Sequence, residues 1–289
     1  DSMFDYIILG HENPDVDSIV SGYLLEKVMT RSGYSAKFII PDQKLDEESV
    51  AICNRYGLDV TTYQGNLPTN PKQKYILVDH HERSVNGPIV AIIDHHPTIQ
   101  KIDVPYYCNE PSSATACLIV KGQEELFCKE DIQLAILATL VDTASFHSVK
   151  TQQADVEWAN QMVSHYHLPY EQLYHEGLCL TKIDSLQSAL LHGLKEYHFH
   201  GKIVLSSYVQ VLNKEEIQEK IPDLLNLAQT YVKERDVSLF AFLLHDMTAF
   251  QSSVYYVTSD KVTAKDFDHY VSRGNEIIPM IEKKIYQKK

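Results

Sequence analysis

Residues 10–18 read GHENPDVDS and come directly after FDYIIL at residues 4–9, an apolar run of strand length. This stretch places His11, Asp15 and Asp17 close together in the chain. In open parallel sheets the loops at the carboxyl ends of the strands carry functional residues. Taken alone, the stretch equally indicates a turn followed by a helix N-cap. Its meaning therefore depends on partners elsewhere in the chain.

The N-terminal half of the sequence alternates between strand and helix patterns. The predicted strands are FDYIIL, SAKFII, KYILV and GPIVAII. The segment SIVSGYLLEKVMTR predicts a helix with Ser18 as its N-cap, and Gly57 is expected to end the next helix. From Ser112 to about His167 the pattern is helical. This alternation predicts an α/β fold with a largely parallel sheet covered by helices on both faces.

The C-terminal part predicts a second, smaller α/β domain. Strand patterns occur in KIVLSSYVQVL, SLFAFLL and SSVYYVTS, and helices are expected at about 214–233 and 275–287. The apolar pattern weakens in between, so we place a linker at 182–187. The expected domains are then 1–181 and 188–289. A cleft between two domains is a common place for a small-molecule site.

Composition limits the classes of partner. The formal net charge of −13 argues against nucleic acid, because surfaces that bind polyanions are usually basic. No apolar run approaches the ~20 residues that cross a bilayer, and no N-terminal signal pattern is present. The five cysteines contain no CxxC pair and favour a reducing compartment. We therefore expect a cytoplasmic protein that interacts with neither membrane nor nucleic acid.

Aspartate and histidine recur at three successive strand ends. The residues that follow these strands are His11, Asp15 and Asp17, then Asp79, His80 and His81, then Asp94, His95 and His96. Asp142 lies in the apolar pattern ILATLVDT, where a lone buried carboxylate is costly unless it is paired or binds a cation. A single aspartate after a strand is often only a turn former. Together, carboxylates and imidazoles without thiolates suit hard divalent ions, and two such ions hydrolyse phosphoryl groups.

Four motifs in order resemble those of the DHH phosphoesterase superfamily: GHENPDVDS, VDHHE, IIDHHP and LVDT. They are most similar to the family II, manganese-dependent inorganic pyrophosphatases. EPSSATA at 110–116, LKEYHFHGK at 194–202 and VSRGNEIIP at 271–279 are also similar to segments of that family. The resemblance implies a DHH metal-binding catalytic domain over 1–181 and a DHHA2-like substrate-binding domain over 188–289.

The resemblance also implies a site with two divalent ions, manganese first, with cobalt or magnesium as alternatives. The implied metal ligands are His11, Asp15 and Asp79 for one ion, and Asp17, Asp79, His95 and Asp142 for the other. Asp79 would bridge the ions, and His96 would contact phosphate and protonate a leaving group. Lys195 and Arg273 match positions that bind pyrophosphate from the second domain. Asp79 and His96 are thus the expected catalytic residues.

Three positions depart from the family pattern. Gly274 stands where the family has Lys, His81 where it has Asn, and His147 where it has Lys. Fixed positive charge is thereby exchanged for imidazoles, whose charge depends on pH. We still expect His81 and His147 to contact a small anionic phosphate substrate.

The expected reaction is attack of metal-activated hydroxide on the phosphoanhydride of inorganic pyrophosphate. The alternatives are an exopolyphosphatase or another small phosphoester hydrolase of the superfamily, and a non-catalytic module that binds metal and phosphate. An exposed edge strand in the first domain would permit a homodimer.

Overall fold

The computed structural model describes residues 4–96, 98 and 102–287. Within these residues the chain divides into two compact units. The first unit contains the described residues up to 146 and residues 150–177, and the second contains residues 147–149 and 178–287. The linker expected at 182–187 begins a few residues after this division, and that boundary stays a prediction.

The first unit is built on a parallel sheet. Its strands are β1 (Tyr6–Leu9), β2 (Ala36–Phe38), β3 (Lys74–Val78), β4 (Ile89–Asp94) and β5 (Tyr106–Asn109). Its helices are α1 (Val16–Arg31), α2 (Glu47–Arg55), α3 (Thr115–Val120), α4 (Lys129–Asp142), α5 (Gln153–Tyr166) and α6 (Tyr170–Gly177). The strand order is β2-β1-β3-β4-β5, and every adjacent pair is parallel. The expected α/β class and largely parallel sheet are confirmed.

The two faces of this sheet are covered differently. Ile8 and Ile76 belong to a large core that contains buried residues of helices α1 to α6. Their neighbours Ile7 and Leu77 point to the opposite face, as the pleat of a strand requires. Among the described residues, that face is packed by side chains from strands and loops, such as Leu67. The expectation of helices on both faces is therefore wrong for the described part of the chain.

The start of α1 corrects a second expectation. The N-cap is Asp15 and not Ser18, because a side-chain oxygen of Asp15 accepts the backbone N–H of Ser18 at 3.0 Å. Ser18 lies in the first turn, where its Oγ accepts the N–H of His11 at 3.1 Å. A Cβ at Gly10 would overlap Ser18 Oγ. Glycine at this position therefore allows the end of β1 to pack closely on the first turn of α1.

The second unit contains a mixed sheet. Its elements are α7 (Leu186–Leu190), β6 (Lys195–Phe199), β7 (Lys202–Val211), α8 (Ile221–Glu234), β8 (Leu239–Asp246), β9 (Gln251–Val257), β10 (Val262–Phe267) and α9 (Ile278–Gln287). The strand order is β10-β9-β8-β7-β6, with β7 and β8 parallel and the other pairs antiparallel. The helix expected from about 214 starts as 3₁₀ turns, and α8 follows them. No helix in the described ranges is both long and apolar enough for a membrane span.

Candidate metal centre

The strand order determines where the polar residues meet. The chain leaves β1 toward β2 on one side and returns as β3 on the other, so β1 and β3 flank the point where the connections change direction. Ligands in open α/β sheets bind beside the carboxyl ends of strands at such a point. His11 follows β1, Asp79 follows β3 and His95 follows β4. Asp142 is the last residue of α4.

Potential ligand atoms gather there in three overlapping groups. Within each group the atoms lie within 4.8 Å of one another. The groups are His11, Asp15 and Asp79; Asp17, His95 and Asp142; and Asp79, His95 and His96. All six residues expected as ligands from the sequence belong to these groups, and they could hold metal ions.

Asp79 is common to both ends of the cluster. Its Oδ2 lies 3.6 Å from His11 Nε2, and its Oδ1 lies 3.3 Å from His95 Nε2. Thr115 Oγ1 donates to the same Oδ1 at 3.0 Å. The backbone of Asp79 is left-handed, with a φ of 64°, a conformation that costs energy for a residue other than glycine. The turn after β3 therefore holds a strained residue whose two oxygens face two different imidazoles.

His95 provides a test of whether the residues fit a cation. Its Nδ1 lies 2.7 Å from the carbonyl oxygen of Ser112, so in the neutral ring Nδ1 carries the proton and Nε2 is an unprotonated acceptor. Nε2 is buried and has no hydrogen-bond partner among the described residues. It faces carboxylate oxygens of Asp17 at 3.7 Å and Asp142 at 3.5 Å. Acceptors that face each other out of contact with water are stabilised by a cation between them.

The pKa shifts in the cluster also indicate that a cation would stabilise it. Burial, together with the neighbouring Asp142, raises the pKa of Asp17 to about 6. Burial and the carboxylates of Asp17 and Asp15 raise the pKa of Asp79 well above its usual range. Burial opposes protonation of His11, but its hydrogen bond with Asp15 and the charges of Asp15 and Asp79 together outweigh that effect and raise the pKa of His11 to about 10. The carboxylates repel one another unless positive charge is nearby.

The first turn of α3 and the loop before it hold one of the expected ligands, Asp17. Asp17 Oδ2 accepts the N–H of Thr115 and Asp17 Oδ1 accepts the N–H of Ala116, both at 2.9 Å. Asp155 Oδ2 accepts the N–H of Ser113 at 2.8 Å and so fixes the loop from its other side. Sequence reasoning found this segment, EPSSATA, only through its resemblance to the family.

Asp94 has a role that the sequence did not reveal. It is fully buried, and its Oδ1 lies 2.6 Å from His96 Nδ1, while its Oδ2 lies 3.5 Å from His81 Nδ1. Burial alone would raise the pKa of Asp94, but the hydrogen bond and charge of His96 outweigh it and lower the pKa to about 2. Asp94 therefore orients His96, and it lies beside His81 as well.

Lys150 is a second residue that sequence reasoning missed. Its Nζ lies 3.0 Å from Asp142 Oδ2. Burial works to lower the pKa of Lys150, but the carboxylate of Asp142, with contributions from Asp15 and Asp17, raises it. The ammonium group therefore stays charged beside the cluster. The sequence feature that could have indicated Lys150 is its position a few residues after the LVDT motif.

The other expected substrate-binding residues belong to the second unit. Arg273 Nη1 donates to the carbonyl oxygens of Gly193 at 2.7 Å and Ser206 at 3.0 Å. Lys195 is the first residue of β6, and the ring of His147 stacks on that of Phe250 with centroids 3.3 Å apart. Contact of these residues with a substrate stays a prediction.

Comparisons with known proteins identify relatives of this chain. Residues 5–145 match the DHH family, N-terminal domain. The manganese-dependent inorganic pyrophosphatase of Methanocaldococcus jannaschii is 25% identical over 96% of this chain and 98% of its own length. The manganese-dependent inorganic pyrophosphatase of Bacillus subtilis is 23% identical over 95% and 97%.

A solved structure has the same fold. It is the crystal structure of a Methanococcus jannaschii protein assigned to the family II inorganic pyrophosphatases. It superposes with a TM-score of 0.70 at 22% identity and covers 96% of this chain and 98% of that one. At this level of identity the similarity establishes the fold.

Proposed function

We propose that the protein is a metal-dependent phosphohydrolase that cleaves the phosphoanhydride bond of inorganic pyrophosphate. The match of residues 5–145 to the DHH family, N-terminal domain, supports this proposal. The observation that carries this proposal is the position of Asp79 between His11 and His95. One carboxylate with an oxygen toward each imidazole suits a pair of ions that share a ligand. The manganese-dependent pyrophosphatases to which the chain is similar along almost its whole length support the same reaction.

Two Mn²⁺ ions are the proposed cofactors, with Co²⁺ or Mg²⁺ as alternatives. The proposed ligands are His11, Asp15 and Asp79 for one ion, and Asp17, Asp79, His95 and Asp142 for the other. Bound divalent ions lower the pKa of water and polarise phosphoryl oxygens. Carboxylate and imidazole donors without thiolates match that choice of metal.

The protein's own groups have separate tasks in this proposal. Asp94 fixes the orientation of His96 through Nδ1, so Nε2 is the ring nitrogen that can act on a phosphate oxygen. Thr115 and the α3 amides hold Asp79 and Asp17 in place. Lys195 and Arg273, both in the second unit, are proposed to bind the anionic substrate.

A second candidate is an exopolyphosphatase or another phosphoester hydrolase of the same superfamily. A Cβ built on Gly274 meets nothing within 4 Å among the described residues, so space exists where the resembling family carries a lysine. The homodimer, the cytoplasmic location and the absence of a nucleic-acid partner stay predictions.

A phosphate-release assay tests the proposal. The protein is loaded with Mn²⁺, Co²⁺ or Mg²⁺ and assayed with pyrophosphate, tripolyphosphate, long-chain polyphosphate and an aryl phosphate. We expect Mn²⁺ to give the highest kcat/KM and pyrophosphate to be the best substrate, with no activity in Asp79→Asn. A preference for long polyphosphate would favour the second candidate. No release from any of the four compounds would contradict hydrolysis altogether.

A further inference from the structure

A positively charged side chain of the first unit, that of Lys150, lies beside the cluster of candidate ligands and has no role in the proposed reaction. Lys150 Nζ lies 3.0 Å from Asp142 Oδ2, and about a third of the lysine side chain is exposed. Asp142 Oδ2 is also the oxygen that faces His95 Nε2 at 3.5 Å. The ammonium group therefore lies beside these candidate ligands, on a side chain that is partly exposed.

The contact with Asp142 is not a durable pairing for Lys150 once the centre is loaded. An ion held by Asp17, His95 and Asp142 would compete with the ammonium group for Asp142 Oδ2, because this oxygen also faces His95 Nε2 and a divalent ion is the stronger charge. Lysine has a flexible stem and a compact charge with rotatable donors, so its ammonium can turn to a nearby anion without a change of backbone. The anions that approach such a centre are phosphate oxygens.

The path of the chain keeps Lys150 close to these candidate ligands. Three consecutive residues after Thr143, Ala144 to Phe146, have positive φ values of 49°, 52° and 70°, and this left-handed turn ends α4 directly after Asp142. The N–H of Gln152 then donates to Ser113 Oγ at 2.8 Å, which fixes the segment to the loop before α3. The backbone of Lys150 is thus held between two anchored points, and its ammonium group lies beside Asp142.

We propose that Lys150 is a further substrate-binding residue, whose ammonium group binds a phosphate oxygen of the anionic substrate beside the Asp17, His95 and Asp142 group. This inference rests on the proposed function for its substrate class. Lys150 would give the first unit a positively charged group that binds phosphate, in addition to Lys195 and Arg273, which are expected to bind it from the second unit.

The test measures substrate binding and metal binding separately. Wild type, Lys150→Met and Lys150→Arg are loaded with Mn²⁺ and titrated calorimetrically with methylenediphosphonate, a pyrophosphate analogue with a P–C–P bridge. Lys129→Met is the matched control, since it removes a lysine at the opposite end of α4, about 20 Å from Asp142. Mn²⁺ affinity is measured without analogue, and pyrophosphate hydrolysis is assayed in parallel.

We expect Lys150→Met to weaken analogue binding by about tenfold to a hundredfold, the effect of one lost charge-assisted hydrogen bond. Lys150→Arg should recover most of that loss, Lys129→Met should match wild type, and Mn²⁺ binding should not weaken in any variant.

The inference is overturned if Lys150→Met binds the analogue as tightly as wild type. It is also overturned if Lys150→Met loses Mn²⁺ affinity in parallel with analogue affinity, because Lys150 would then only stabilise the metal ligands. Failure of the wild type to bind the analogue overturns it too. If binding follows the expected pattern but pyrophosphate is not hydrolysed, the inference stands and the proposed function is wrong.

Discussion

Replacing Asp79 by Asn should remove both metal ions at once. Asparagine keeps the shape of the side chain and can still accept a hydrogen bond from Thr115 Oγ1, but it lacks the negative charge that faces His11 and His95. Two unit charges about 4 Å apart interact by about 4 kcal/mol at the effective permittivity that describes protein sites. A divalent ion carries twice that charge, and since about 1.4 kcal/mol corresponds to tenfold, each ion should bind at least about a thousandfold more weakly.

The assay counts ions as well as measuring affinity. Calorimetric titration with Mn²⁺ gives stoichiometry and dissociation constants, and paramagnetic resonance of unbound Mn²⁺ checks the count. Asp15→Asn and Asp142→Asn are the matched comparisons, because each of these residues belongs to a single ligand group. Each should lose one ion and keep the other. Circular dichroism establishes that all three variants are folded.

One pattern of results refutes a shared ligand. If Asp79→Asn still binds two ions with affinities within about tenfold of wild type, the two oxygens of Asp79 do not serve two metals. If it loses one ion only, as Asp15→Asn does, Asp79 belongs to one site and the proposed pairing of ligands is wrong.

Three further predictions concern His96, the substrate and protons. Asp94→Asn should lower kcat by about tenfold to a hundredfold, because His96 loses its charged partner, while two Mn²⁺ ions still bind; unchanged kcat would contradict the positioning role. Gly274→Lys, whose Cβ would meet no described atom within 4 Å, should raise kcat/KM for pyrophosphate relative to tripolyphosphate, and an unchanged ratio would refute the importance of the missing cation. Mn²⁺ binding at pH 7 should release a proton from His11, whose pKa is raised to about 10, so affinity should rise as pH rises. Titrations in two buffers of different ionisation enthalpy count that proton, and equal heats in both buffers would count against it.

The position of the site could be predicted from the sequence because local patterns determine it. An apolar run followed by Asp or His marks a strand end, and parallel strands place those ends at one edge of the sheet. The N-cap of α1 could not be predicted in the same way, since Asp15 and Ser18 both suit that position and packing of Ser18 on Gly10 decides between them. The edge strand β5 was missed because YYCN is short and partly exposed, so its apolar pattern is weak.

Lys150 illustrates the limit of sequence reasoning for the site. Its distance from Asp142 depends on a left-handed turn of three residues other than glycine, Ala144 to Phe146. L-amino acids rarely adopt that conformation, so nothing in their types predicts it. Nor does the sequence pattern DHH reveal that Asp94 bonds to the second histidine. Both roles depend on side-chain directions that follow from tertiary structure.

The first turn of α3 and the loop before it link candidate ligands that come from different elements. The carbonyl oxygen of Ser112 fixes His95, the hydroxyl of Thr115 contacts Asp79, and the N–H groups of Thr115 and Ala116 hold Asp17. All of these bonds are made by the protein's own groups, so we expect them to set the geometry of the candidate ligands. Because carboxylates held close together repel one another, these bonds and the anchor Asp155 offset a cost that the proposed ions would remove. The EPSSATA segment therefore belongs with the metal-binding motifs in function, although it provides none of the candidate ligands itself.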